Sequence, residues 1–330
     1  MQAYLDLIRE VLTEGRYKPN RTGVDTIASF SAQYTVDLSA GFPLLTTKDL
    51  SGFRWNSLLH ELIWYLSGEE HIRTLQQHTG IWDAWADAEG RLDTAYGRFW
   101  RRYPLAAQTL PGESWATAGD RWINDDGTFD QIRYVLDTLQ EDPHSRRMVV
   151  SAWHPANAAV STLPPCHYTF VISVQDGALH LHLTQRSGDV ALGIPFNIAA
   201  YALLAQVLAQ RSGFRLGSFG HTIVDAHIYC GEAERGVWYE AHLEELQRRL
   251  EAASDPAGIR AVAAWVDQTA PAEPRPDFDH VPGLLEQLAR TPRTRPQLHI
   301  DDVPVDDLRV EHIQLEGYDP AGALRFAVAE

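Results

Sequence analysis

The dipeptide Asp176-Gly177 separates two runs rich in β-branched and apolar residues, 167–174 and 178–184. Asp-Gly between such runs specifies a tight turn, so this stretch is read as an antiparallel hairpin. A hairpin fixes what lies beside what: the start of its first strand meets the end of its second. At the start stands Cys166, directly after Pro164 and Pro165. Proline fixes its own φ and restricts the residue before it, so the thiol is carried on a stiff approach. At the other end the second strand runs out into Gln185-Arg186-Ser187-Gly188-Asp189. A thiol is thereby set beside an Arg, a Ser and an Asp. A cation next to a cysteine lowers the thiol pKa and raises the thiolate fraction, which makes a nucleophile. A lone half-buried strand cysteine is ordinarily a packing residue; it is the pairing of Pro-Pro-Cys-His with Gln-Arg-Ser-Gly-Asp that turns the reading toward reactivity.

Bulk properties exclude several classes. The formal net charge of −16 over 330 residues disfavours general nucleic-acid binding, which needs a basic footprint. It leaves room for a small anionic substrate held by a few clustered arginines. Two cysteines cannot build a disulfide framework, and no Cys/His spacing suggests a metal site, so a reducing cytoplasm is expected. No apolar run is read as a membrane span. Residues 1–14 carry acids inside an amphipathic pattern and are not read as a signal peptide.

In chain order, Tyr4, Leu5, Ile8, Val11 and Leu12 share one face of a helix over residues 2–14, with Gly15 as its C-cap. The loop Asn20-Arg21-Thr22-Gly23 offers a guanidinium, a hydroxyl and backbone amides suited to phosphate. Residues 27–38 alternate as a strand. Residues 53–66 form a strongly apolar helix that nevertheless contains His60-Glu61, and a carboxylate there needs a partner or a task. Residues 129–140 read as an amphipathic helix, followed by Ser145-Arg146-Arg147 and a strand over 148–153. An apolar helix over 195–210 carries Asn197 at its first turn. His227 and Tyr229, two apart on a strand, face the same side. Residues 232–290 read as two or three surface helices with a linker over 270–276, their apolar positions (Leu243, Leu246, Leu250, Val262, Trp265, Val266) at helical spacing. Cys230 reads as a small packing residue.

Pro165-Cys166-His167, Gln185-Arg186-Ser187-Gly188-Asp189 and Gly193-Ile194-Pro195-Phe196-Asn197-Ile198 resemble the active-site core of the thymidylate synthase family. Leu45-Thr46-Thr47-Lys48, His60-Glu61-Leu62-Ile63-Trp64, Ile81 to Asp87, Ala95-Tyr96-Gly97, Asp225 to Tyr229 and Leu315 to Pro320 extend the resemblance over residues 1–230 and 291–330. It implies an α/β fold, a large mixed β-sheet flanked by helices. It implies one catalytic domain over 1–330, with 232–290 as a helical insertion, and a homodimer of stacked sheets. The implied reaction is reductive methylation of dUMP to dTMP, with 5,10-methylenetetrahydrofolate donating first a one-carbon unit and then a hydride, and no metal.

The same resemblance assigns roles. Cys166 adds to C6 of uracil. Arg21 and Arg186 grip the nucleotide phosphate, joined across the dimer by Arg146 and Arg147 of the other subunit. Gln185, Ser187 and Asp189 join the nucleotide site, and His227 and Tyr229 bond the deoxyribose hydroxyl. Asn197 presents donor and acceptor to O4 and N3–H of the pyrimidine. Glu61 and Tyr96 serve the proton steps. Lys48, Ile81, Trp82, Trp85, Asp189, Leu192, Gly193, Phe196 and the C-terminal tail hold the folate. The chain departs from the family pattern at Asp49, where a basic residue is usual, at Cys230-Gly231-Glu232, where Asn-His is usual, and in a tail ending Ala327-Val328-Ala329-Glu330. The altered tail, the missing Asn-His and the insertion motivate an alternative on the same scaffold, a pyrimidine nucleotide 5-hydroxymethylase, while Asp49 bears on how a polyglutamate folate tail is held; a non-enzymatic RNA-binding or regulatory role is a further alternative that the acidic charge opposes.

Overall fold

The computed structural model describes residues 1–105 and 120–329; the terminal Glu330 of the tail lies outside them. The chain opens with helix α1 (Gln2–Glu14) and strands β1 (Arg16–Lys18) and β2 (Val24–Asp37). Helices α2 (Phe53–Ser67), α3 (Arg73–Gln76), α4 (Tyr96–Arg101) and α5 (Gln131–Glu141) lead to strand β3 (Val149–Ser151) and the short α6 (Pro155–Ala158). The hairpin follows as β4 (His167–Gln175) and β5 (Ala178–Gln185), then β6 (Gly188–Asp189), α7 (Gly193–Ser212) and the long β7 (Arg215–Glu232). Helices α8 (Ala233–Ala252), α9 (Pro256–Thr269) and α10 (His280–Leu288) precede a small two-stranded ribbon, β8 (Gln297–Ile300) and β9 (Ile313–Glu316).

The main sheet has seven strands in the order β1-β2-β7-β5-β4-β3, with β6 beside β7. β5 and β6 run parallel to β7 and the remaining pairs are antiparallel, so the sheet is mixed. The β4–β5 turn has φ of 49° at Asp176 and 71° at Gly177, the left-handed pair that matches the twist of the strands. Inward positions Phe170, Ile172, Leu179, Leu181 and Leu183 are at most 1% exposed, and each such burial stabilises by about 1.5–3 kcal/mol. The opposite face is more open: Phe30 on β2 is 86% exposed and Val149 on β3 is 43% exposed.

Helix α7 is long and apolar enough, by length and composition, to cross a bilayer, which the reading of apolar runs did not register. Most of it is buried in this fold, packed on β5 and β7 and against α2 and α5. A helix apolar all round belongs in a core or a membrane, and here the core takes it. Gly15 does not cap α1 in the left-handed region; its φ is −64°. It is glycine because a Cβ there would stand 2.3 Å from Val11 O and 2.9 Å from Ile27 Cγ2.

Residues 232–290 form three α-helices, as their periodicity predicts, but they are more than a surface layer. Tyr239, Leu246, Leu250, Val266, Val281, Leu284 and Leu285 are fully buried in the same core as the sheet. Arg9 Nη1 donates to Leu250 O at 3.1 Å and Gln247 Nε2 to Gly15 O at 2.9 Å, fastening α8 to α1. The helices leave and rejoin the sheet at one place, where Cys230 bridges to Asp279. There a buried cluster forms: Arg235 Nη2 lies 2.7 Å from Asp279 Oδ2, and Tyr239 Oη donates to the same carboxylate at 2.8 Å.

Candidate active site

The hairpin register delivers what the sequence predicts. His167 pairs with Gln185, and the Arg186 N–H donates to Cys166 O at 2.9 Å. Arg186 then reaches across to the prolines, with Nε donating to Pro165 O at 3.0 Å and Nη2 to Pro164 O at 2.6 Å. The Cys166 N–H donates to Tyr96 Oη at 2.8 Å. The backbone carrying the thiol is thus held from three sides. Beneath it His167 stacks on Tyr96, ring centres 3.7 Å apart, and its Nδ1 meets Tyr201 Oη at 2.7 Å. Burial holds His167 neutral, its pKa near 3.

Cys166 faces a cavity of about 660 Å³. One end is polar: Asn20, Arg21, Gln185, Arg186, Ser187, Asn197, His227 and Tyr229. The other is aromatic and apolar, with Phe53, Ile81, Trp82, Trp85, Leu192 and Phe196, and Val328 and Ala329 of the tail close it. Gly188 lets α7 come this near, since a Cβ there would stand 2.5 Å from Ile194 Cδ1.

Of the three carboxylates that line the cavity, Glu61, Asp189 and Asp225, the first two are tuned oppositely. Burial raises the Glu61 carboxyl above its ordinary range, against the pull of hydrogen bonds from Tyr65 Oη (2.8 Å) and Trp82 Nε1 (2.7 Å). Burial acts the same way on Asp189, but it is outweighed by His280, His227 and the Leu192 N–H, and the carboxyl is held below its ordinary range. Asp189 Oδ1 accepts from the N–H groups of Ala191 (2.8 Å) and Leu192 (3.1 Å), which orients the start of α7.

A sequence profile of the thymidylate synthase family matches residues 2–330. A relative from Haloferax volcanii, described as thymidylate synthase, is 67% identical over 327 residues, covering 98% of this chain and 96% of its own.

The chain belongs to the thymidylate synthase family.

Most residues that the thymidylate synthase resemblance singled out line this one cavity: Arg21, Glu61, Ile81, Trp82, Trp85, Tyr96, Cys166, Gln185, Arg186, Ser187, Asp189, Leu192, Gly193, Phe196, Asn197, His227 and Tyr229. Lys48 does not. It is 2% exposed, its Nζ donates to Ala191 O at 2.8 Å and lies 4.6 Å from the centre of the Phe326 ring. Burial lowers its pKa to about 8. The basic side chain on the cavity wall at this end is Arg54, which the sequence reading passed over. Arg146 and Arg147 are exposed and away from the cavity of their own chain. Asn197 is the fifth residue of α7, one position beyond its first turn.

The thiol differs from the sequence expectation. Burial pushes the Cys166 pKa up, and the Arg186 charge only partly offsets this. The reason is desolvation: a thiolate buried there loses more by leaving water than it gains from the guanidinium, which itself bonds the Pro164 and Pro165 carbonyls.

His280 was missed. It is fully buried, packs edge-on to Tyr229 with ring centres 5.4 Å apart, and donates from Nε2 to Ala327 O of the tail at 3.0 Å. Its Nδ1 stands 3.7 Å from Asp189 Oδ1. Where the Asn-His step is absent after Tyr229, Asp279-His280 is brought back to the end of β7 from the far side of α8 and α9. The signal in the sequence was the Asp-His pair itself, which carries no helical periodicity of its own.

Proposed function

We propose that Cys166 is the nucleophile of a reductive methylation that converts dUMP to dTMP. The observation that carries this is the single cavity in which Cys166, the arginines and Asn197 meet an aromatic wall. Addition of the thiolate to C6 of the uracil ring places electron density on C5, dividing one hard step into two easier ones. Arg21 and Arg186 supply the cations for the 5′-phosphate. A phosphate arriving at Arg186 competes with the Pro164 and Pro165 carbonyls for its N–H groups. His227 and Tyr229 face the sugar, and Asn197 reads O4 and N3–H. Glu61, raised by burial above the ordinary carboxyl range, can hold and pass a proton. Tyr96, also raised far above its ordinary value with burial the first cause, stays a neutral hydroxyl beside Cys166.

The residues present suit a folate. Phe53, Trp82, Trp85 and Phe196 offer faces to flat rings, and the Asp189 carboxylate offers an acceptor to ring N–H donors. When bound, 5,10-methylenetetrahydrofolate supplies the one-carbon unit and the hydride that reduces it. The protein's part is to orient both ligands and exclude water, and the tail residues Val328 and Ala329 lie where they can do this.

The enzyme functions as a homodimer, its open sheet face packed on that of a second copy, with Arg146 and Arg147 directed to the other subunit's phosphate site. The exposure of both arginines next to the open β3 edge supports this arrangement.

Product identification with dUMP and methylenetetrahydrofolate tests the reading. The expected product is dTMP, lost to background in Cys166→Ser while dUMP binding persists. A 5-hydroxymethyl product would overturn it in favour of the hydroxymethylase, which no observation here favours. Retained turnover in Cys166→Ser would remove Cys166 from its role.

A further inference from the structure

A line of buried side chains runs from the cavity floor into the sheet. Gln185 Nε2 donates to Asn197 Oδ1 at 3.1 Å and to Ser187 O at 2.9 Å. Gln185 Oε1 meets His221 Nε2 at 3.0 Å, and His221 Nδ1 meets Tyr34 Oη at 2.7 Å. Gln185 is 3% exposed and His221 fully buried. The register makes this line: β2 pairs Tyr34 with His221, and β5 pairs Leu183 with His221, two residues from Gln185.

One placement of protons satisfies every atom. The Ser187 carbonyl only accepts, so the amide nitrogen of Gln185 faces it. The Gln185 oxygen only accepts, so His221 Nε2 carries a hydrogen. Burial keeps the imidazole neutral, its pKa near 3, so Nδ1 is bare. The Tyr34 hydroxyl has no other hydrogen-bond partner among the described residues and donates to that bare nitrogen. Asn197 is therefore pinned by its oxygen, and its N–H₂ end is left for the cavity.

We propose that Tyr34 and His221 are positioning residues that set, from beneath the site, which pyrimidine Asn197 accepts. The proposal rests on the reading of Asn197 as the residue that meets the base. Uracil presents an acceptor at O4 and a donor at N3–H; cytosine presents the reverse. To suit cytosine the Asn197 amide must turn over, which drives its N–H₂ against the Gln185 N–H₂. Gln185 can yield only by turning too, which sets its oxygen against the Ser187 carbonyl and also requires the His221 proton to move to Nδ1, so the His221 tautomer adds to the restraint that Ser187 imposes. The Tyr34 hydroxyl opposes that move. Discrimination against cytosine thus depends on two groups that touch no substrate.

The test is equilibrium binding of dUMP and of dCMP to the parent enzyme and to Tyr34→Phe, His221→Leu and His221→Gln. Losing one hydrogen bond of ordinary net strength changes an equilibrium roughly three- to tenfold. The dUMP-over-dCMP preference is expected to fall by that factor in Tyr34→Phe and His221→Leu, chiefly through weaker dUMP binding. His221→Gln, which can again donate to Gln185, is expected to recover part of it. An unchanged preference, or equal weakening of both nucleotides, in folded variants overturns the proposal. Asn197→Asp is the control for the reading beneath it. If that change also leaves the preference alone, Asn197 does not read the base; if it shifts the preference and Tyr34→Phe does not, only the relay fails. Should His221→Leu not fold, the imidazole tautomer decides. Nitrogen-15 shifts showing Nε2–H in the parent, with Nδ1–H gaining in Tyr34→Phe, support the relay, and Nδ1–H in the parent overturns it.

Discussion

Lys48 gives the sharpest quantitative test of these assignments. It is one of two lysines in the chain, with Lys18, and the buried one. Burial takes its pKa from the ordinary 10.5 to about 8. At about 1.4 kcal/mol for each tenfold change, holding the ammonium in the folded chain costs roughly 3 kcal/mol. Below pH 8 both folded and unfolded chains carry the charge, and this cost is borne in full. Between pH 8 and 10.5 the folded chain has lost the proton and the unfolded chain has kept it. The unfolded state then binds more protons, so stability rises with pH until the cost is gone. Lys48→Met keeps the stem volume and removes the charge, but it orphans Ala191 O and the contact over Phe326. Those losses come to about 1–2 kcal/mol. The variant is therefore expected to be more stable than the parent by about 1–2 kcal/mol at pH 7 and less stable by a similar amount near pH 10, a difference built from the pKa drop and the lost contacts. Urea unfolding of both proteins at matched concentration across that range measures the crossover. Parallel stability curves would show that Lys48 titrates normally, and that the burial argument is wrong. The folate KM of the variant is informative as well: a large rise would return Lys48 to the binding site.

Three further outcomes are expected. Arg146→Ala and Cys166→Ala should each be inactive alone, yet regain activity when mixed and allowed to exchange subunits, because one site of the heterodimer then carries neither defect; no recovery after demonstrated exchange excludes shared arginines. Arg235→Met leaves the Asp279 carboxylate buried beside Tyr239 without its cation, and urea titration should show a loss of about 3–5 kcal/mol, whereas a loss under about 1 kcal/mol would mean the carboxyl simply takes up a proton. A net charge of −16 repels itself, so Tm should climb as KCl is raised from about 0.01 M, where the screening length is about 30 Å, to about 1 M, where it is about 3 Å; a flat or falling Tm contradicts this.

What the sequence disclosed was whatever local pattern controls. Asp176-Gly177 sets a turn, the turn sets a register, and the register sets Cys166 beside Arg186. Amphipathic periodicity likewise disclosed α1, α2, α5 and the three helices after β7. What stayed hidden depends on partners far apart in the chain. How deeply Cys166 is buried, which outweighs the Arg186 charge in setting the thiol pKa, depends on elements far apart in the chain. Whether Lys48 points into the cavity or under it depends on Ala191 and Phe326, which no pattern near residue 48 encodes. Tyr34 and His221 meet only because β2 and β7 pair across 187 positions. Strand 148–153 shrinks to Val149–Ser151 because it pairs with β4 over only three residues.

The segment that departs after Glu232 and returns at Asp279, carrying α8 and α9, has a bearing on how such a chain can change. Because departure and return meet at one bridge, a chain with a shorter path between these two neighbouring ends would need no rerouting of its sheet, and the closure cost of the longer path grows slowly with length. Losing the segment is another matter. The fully buried Tyr239, Leu246, Leu250 and Val266 are part of the common interior, and Arg9 and Gly15 of the α1 end are tied to α8. Excision would strip that apolar surface from α1 and the sheet. Lengthening the path here is topologically cheap and shortening it is energetically steep.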